Sequence, residues 1–179
     1  MKRRKDWRLH IDSHSSKGEH LGYLESKYEY PSVFASFAEF AGKDPALNQI
    51  TTILTSNKMI VRGNDVENEI ASKSTKITSK QDVGSFKRRF FPRINYSVLD
   101  WLELGGTDSI GLRLDILNHL ADKNLRIRYL ELSYQGRTSI EFLKEQVQKK
   151  VLTGMSMYGH WPQESTVPLV EALIPQQQL

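Results

Sequence analysis

The sequence predicts an α/β protein: a short stack of leucine-rich-repeat-like βα units preceded by a β-hairpin and a helix. Three observations carry this expectation. The spacing L-x-x-L-x-L, or its Ile and Met equivalent, occurs at residues 99–104, 127–132 and 152–157. Its starts at Leu99, Ile127 and Leu152 lie 28 and 25 residues apart, inside the period of leucine-rich repeats. Each copy is followed by a glycine (Gly106, Gly136, Gly159) and then by apolar residues at helical spacing.

From the start, Trp7, Leu9 and Ile11 alternate with Arg8 and His10, the period of a half-buried strand. A Ser/Gly/Lys turn at 13–19 leads to a second strand over 20–30, so the two form an antiparallel hairpin. Val33, Phe34, Phe37 and Phe40 then recur at helical spacing between Pro31 and Gly42. Residues 48–55 and 59–61 are β-branched and read as strands. Residues 62–82 are polar without a clean period and read as a mobile loop or insertion. Residues 85–91 suit a short helix ending before Pro92.

The expected organisation is therefore an N-terminal region at 1–61, a polar loop or insertion at 62–92, and repeats at 93–179. The helix of the first repeat contains Ile116, Leu117 and Leu120, that of the second Ile140, Leu143 and Val147, and that of the third Val167, Val170, Leu173 and Ile174. Ser109, Thr138 or Ser139, and Ser165 fall where N-caps belong. A lone strand-and-helix unit cannot bury its apolar faces, but stacked units can, with a parallel sheet on one side and helices on the other. An ordinary α/β domain would place a strand and a helix at the same positions.

The stretch Ser139-Ile140-Glu141-Phe142-Leu143-Lys144-Glu145-Gln146-Val147, a following strand and then Gly159-His160-Trp161-Pro162 resemble the C-terminal repeats of nematode F-box-associated proteins. The resemblance covers residues 96–179. It implies a scaffold that holds a target protein, and in that class an N-terminal F-box docks onto a cullin-type ubiquitin ligase. The Leu-Pro signature that opens an F-box is not found here. What the resemblance implies is target binding, without establishing ubiquitin transfer.

Strand alternation gives the expected binding face. If Leu102 and Leu104 enter the core, Trp101 and Glu103 point outward, and the same parity exposes Tyr129 and Glu131, then Gly154 and Ser156, with Tyr158 beyond. Trp101, Glu103, Tyr129, Glu131, Ser156 and Tyr158 are thus the candidate partner-binding residues. Exposed Trp and Tyr are strong interface anchors, and the glutamates favour a partner with a basic segment.

The chain has 179 residues, formal charge +4, and 39% apolar and 26% charged residues, the composition of an ordinary globular protein. It has no cysteine, which excludes disulfides, thiolate metal sites and thiol nucleophiles. No apolar run is long enough for a span and no signal-peptide core follows the basic start, so an intracellular protein, cytoplasmic or nuclear and without a membrane partner, is expected. An enzyme is not expected, nor is any cofactor or metal. The alternative of nucleic-acid binding rests on Lys87, Arg88 and Arg89 beside Phe90 and Phe91, together with the basic run at 2–5. A metal-dependent nuclease reading rests only on Glu25 and Lys27 with Asp12. Gly105-Gly106-Thr107-Asp108 lacks the spacing and lysine of a phosphate loop.

Overall fold

A computed structural model describes residues 2–14, 19–56, 65–106 and 110–174. In chain order these form β1 (Lys5–His14), β2 (Glu19–Ser26), β3 (Phe34–Ala35), α1 (Phe37–Ala41), β4 (Asn48–Ser56), α2 (Asp65–Lys73), β5 (Thr75–Ile77) and α3 (Lys80–Phe90). A 3-10 turn at Phe91–Arg93 leads to β6 (Trp101–Leu104), α4 (Leu112–Leu120), β7 (Tyr129–Ser133), α5 (Arg137–Gln148), β8 (Gly154–Tyr158) and α6 (Gln163–Leu173). Among the described residues, eight strands make one mixed sheet in the order β3-β2-β1-β4-β6-β7-β8, with β5 also on β2. β1 and β2 form the antiparallel hairpin. β1, β4, β6, β7 and β8 run parallel and advance in one direction only.

Alternation explains the layering. Trp7, Leu9 and Ile11 of β1, Ile53 of β4, Leu102 and Leu104 of β6, and Leu130 and Leu132 of β7 share one parity and are buried. They join one continuous core with Phe37 and Phe40 of α1, Phe86 and Phe90 of α3, Leu112 and Ile116 of α4, and Phe142 and Leu143 of α5. These helices therefore cover one face, and the opposite parity looks away from them. Each buried aliphatic side chain contributes about 1.5–3 kcal/mol of transfer free energy. Ile50 and Ile53 both face the core although three positions apart, because a bulge between them restores the parity: Trp7 pairs with Ile50 and Arg8 with Thr52, leaving Thr51 over.

Several boundaries differ from the expectation, each for a local reason. The second strand stops at Ser26 rather than residue 30. Residues 31–36 precede the helix instead of opening it, and Phe34–Ala35 pair with β2. The helix begins at Phe37, where Ser36 Oγ accepts the Glu39 amide at 3.1 Å. The segment expected to be a loop carries α2 and β5. α2 buries no residue, and its large apolar residues Val66 and Ile70 make only a short stripe among polar neighbours. α3 starts at Lys80, five residues earlier than expected, under a capping box between Ser79 and Asp82. The expected strand at 59–61 lies outside the described residues.

The N-caps also differ. α4 is capped by Gly111, α5 by Gly136 and α6 by Pro162, none with a side-chain cap bond. Ser139 is buried one turn inside, accepting the Gln135 amide and donating to the Gly136 carbonyl. Ser165 donates to the Pro162 carbonyl, and Ser109 lies outside the described residues. Gly106, Gly136 and Gly159 have φ of +97°, +73° and +87°, a left-handed region that other residues enter at a cost. Among the described residues no helix is long and apolar enough to cross a membrane.

Candidate functional site

Adjacent parallel strands bring equivalent positions side by side. Trp101 pairs with Tyr129 and Tyr129 with Gly154. Glu103 pairs with Glu131 and Glu131 with Ser156. Ser133 pairs with Tyr158, one step further along the same parity. The six residues picked out by alternation thus lie together on the face opposite the helices. Trp101 is 43% and Tyr158 49% exposed, and Glu103, Tyr129, Glu131 and Ser156 are half-buried.

Trp101 and Tyr129 lie against each other, with ring centroids 4.4 Å apart and planes tilted by 31°. The indole Nε1 of Trp101 donates to Glu103 Oε1 at 2.8 Å, which fixes the ring's azimuth. Tyr129 in turn lies across Gly154, where an added Cβ would fall 2.7 Å from Tyr129 Cδ2. The glycine is what lets the phenol ring lie flat along the sheet. Gly105 does the same for Glu131, whose carboxylate occupies the place of its missing side chain. Beyond Tyr158, Trp161 Nε1 donates to the Tyr158 carbonyl at 2.8 Å, and its ring lies 5.5 Å from that of Tyr134. The result is an aromatic ledge beside two carboxylates. No family model, curated protein or solved structure matches this chain.

Sequence reasoning missed the other end of the same face. Register carries the Trp101 row through Thr52 to Arg8 and Glu25, and the Glu103 row through Leu54 to His10 and Tyr23. Glu25 accepts from Ser32 Oγ at 2.9 Å, lies 2.8 Å from His10 Nε2, and faces Arg8 at 3.4 Å. The His10 bond is the main reason its carboxyl sits below the usual range, with Ser32 and Arg8 assisting against the cost of burial. The His10 and Tyr23 rings are stacked, 4.6 Å apart and nearly parallel. Burial, reinforced by Asp12 and Glu25, pushes the Tyr23 phenol well up, so it stays neutral. The signal was present in the outward parity of Arg8 and His10. What was lacking was the pairing of β1 with β4, which joins the hairpin's face to that of the later strands.

The remaining candidates fall elsewhere. Lys87 pairs with Asp115 at 3.3 Å, and Arg88 bonds Ser85 in its own helix. Phe90 and Phe91 are buried, Phe90 against Phe37 and Phe91 against His119, so neither offers a ring to a base. Lys27 faces Asp100 at 3.7 Å, and Glu25 is engaged as above. Among the described residues no group of three or more His, Asp or Glu could hold a metal ion.

Proposed function

We propose that this protein is a protein-binding scaffold whose uncovered sheet face holds a partner segment, and that the face belongs to a leucine-rich-like stack serving target recognition for a ubiquitin ligase. The observation that supports it best is the exposed Trp101–Tyr129 pair, held in place by Glu103 and by the bare backbone of Gly154. Preorganised aromatic rings cost little further entropy on binding, which is why they act as anchors. Glu103 and Glu131 stand side by side on neighbouring strands and give the ledge an acidic flank. A partner presenting Arg or Lys beside an apolar residue satisfies both features.

The test compares the wild type with Trp101→Ala in affinity purification with mass spectrometry, using circular dichroism to check folding. Trp101 lies outside the core, so the variant folds, and loss of a central aromatic anchor costs about 2 kcal/mol of binding, roughly thirtyfold. Recovery of a cullin adaptor by both proteins, with a target protein lost only from the variant, would carry the ligase assignment. Unfolding of Trp101→Ala, or unchanged recovery of every partner, would remove the face from consideration. A partner whose affinity collapses between low and physiological salt would instead favour nucleic acid.

A further inference from the structure

At the edge of the sheet where β1 and β4 begin and β2 ends lies a cavity of about 450 Å3. Its apolar wall is formed by Trp7, Val33 and Leu47. Four cations, Lys2, Arg3, Lys5 and Lys43, stand around it. Glu29 accepts from Lys5 Nζ at 2.6 Å and also attracts Lys43, as does Glu39, so these lysines are partly offset and the rim keeps a positive excess. Lys43 rides over the Trp7 ring, 5.5 Å from its centroid. Asn48, also in the wall, is occupied by the Trp7 indole, which donates to its Oδ1 at 3.1 Å.

The two kinds of wall make different demands. A neutral apolar ligand would strip water from ammonium groups and give nothing back. A bare inorganic anion would leave Val33, already 47% exposed, and Leu47 in contact with water. A ligand with a charged head and an apolar chain answers both, and the volume is within the range of small-molecule sites. We propose that this cavity binds an anionic amphiphile, a phosphate monoester of an alkyl or acylglycerol group. Its head rests among Lys2, Arg3, Lys5 and Lys43, and its chain lies along Trp7, Val33 and Leu47.

The rim indicates where such a molecule comes from. The segment between Glu29, bound to Lys5, and Val33, in the wall, carries Tyr30, whose side chain is fully exposed. Tyr28, just before it, is 81% exposed. Exposed tyrosines next to a basic rim suit a lipid–water boundary, where the ring enters the headgroup layer and the cations meet anionic lipid. The source is therefore a membrane surface. A peripheral contact of this kind needs no apolar span.

Calorimetric titration of the whole chain with decyl phosphate below its micelle concentration tests the chemistry. Decyl phosphate is expected to bind at least about tenfold more tightly than inorganic phosphate or decanol. Lys43→Glu and Val33→Asp should each weaken it by about tenfold, whereas Arg137→Glu, at the opposite edge, leaves it unchanged. Co-sedimentation with phosphatidylcholine vesicles is expected only when they contain phosphatidic acid. The proposal is overturned if inorganic phosphate binds as tightly as decyl phosphate, or if a single-stranded oligonucleotide displaces the amphiphile at equal concentration, which would make the edge a general polyanion surface. It is also overturned if neither cavity variant changes the affinity. Decyl phosphate binding without vesicle binding would overturn the membrane source. The comparison of ligands needs only the wild-type chain, so a variant that misfolds does not spoil it.

Discussion

Glu25 is the residue where local chemistry makes the clearest demand. Its carboxylate is held by His10, Ser32 and Arg8, and its proton affinity is lowered as a result. In the unfolded chain these partners are lost, so the unfolded state takes up a proton first as pH falls. The stabilisation is fully present above the usual carboxylate range and disappears as pH drops through the lower folded value. Glu25→Gln should therefore cost about 1 kcal/mol at neutral pH, a modest figure because the group is only partly withdrawn from water. Urea unfolding of the two proteins should converge as pH falls below the usual carboxylate range, and a gap that persists there would contradict the assignment. Nothing in the sequence linked Glu25 to His10, because the link needs the hairpin register. The outward parity of Arg8, His10, Trp101 and Tyr129, by contrast, was legible from alternation alone.

At the scale of elements, the strands after residue 99 were readable because β6 and β7 are buried on one face and alternate cleanly, because Met155 and Met157 of β8 repeat that parity while only partly buried, and because turn glycines punctuate them. The helix starts were less legible, for a physical reason. A serine near a helix terminus has the chemistry of a cap wherever it falls, yet Ser139 bonds backbone groups from within the first turn, and Gly111 and Gly136 hold the turn by conformation instead. α2 was hard to read because its large apolar residues, Val66 and Ile70, are only two, stand among polar neighbours and are not buried, too short a stripe to mark a helix. α3 behaves differently. Ser79 accepts the Asp82 amide at 3.1 Å while Asp82 accepts the Ser79 amide at 3.1 Å, a reciprocal cap that the S-x-x-D spacing displays. Ser79→Ala should lower stability by about 1 kcal/mol without altering the sheet face, as thermal unfolding together with Trp101 fluorescence would show. A loss of several kcal/mol would mean that Ser79 has a role beyond its helix.

At the scale of the whole molecule, β4 pairs with β1 on one side and β6 on the other, so one sheet runs from the hairpin to the last strand. The apolar core is equally continuous, from Trp7 to Leu173. Such a core unfolds as one cooperative unit. Phe40→Ala beneath the hairpin and Leu130→Ala beneath β7, both fully buried, should each cost about 3–5 kcal/mol. Each should lower a single transition seen alike by far-ultraviolet dichroism and by tryptophan emission. Two separated transitions in either variant would show that the ends fold independently.

The one-way advance from β1 to β8 has a further consequence. Among the described residues β8 is flanked by a strand on one side only, and Val167 and Val170 of α6, with Ile174 just past its end, are exposed at helical spacing. One more strand and helix could be appended there by pairing on β8 and covering those side chains, and no existing ladder would be broken. Insertion at any interior position would first have to pull apart a bonded pair of neighbours. A unit added at that flank would leave the hairpin and its aromatic cluster undisturbed.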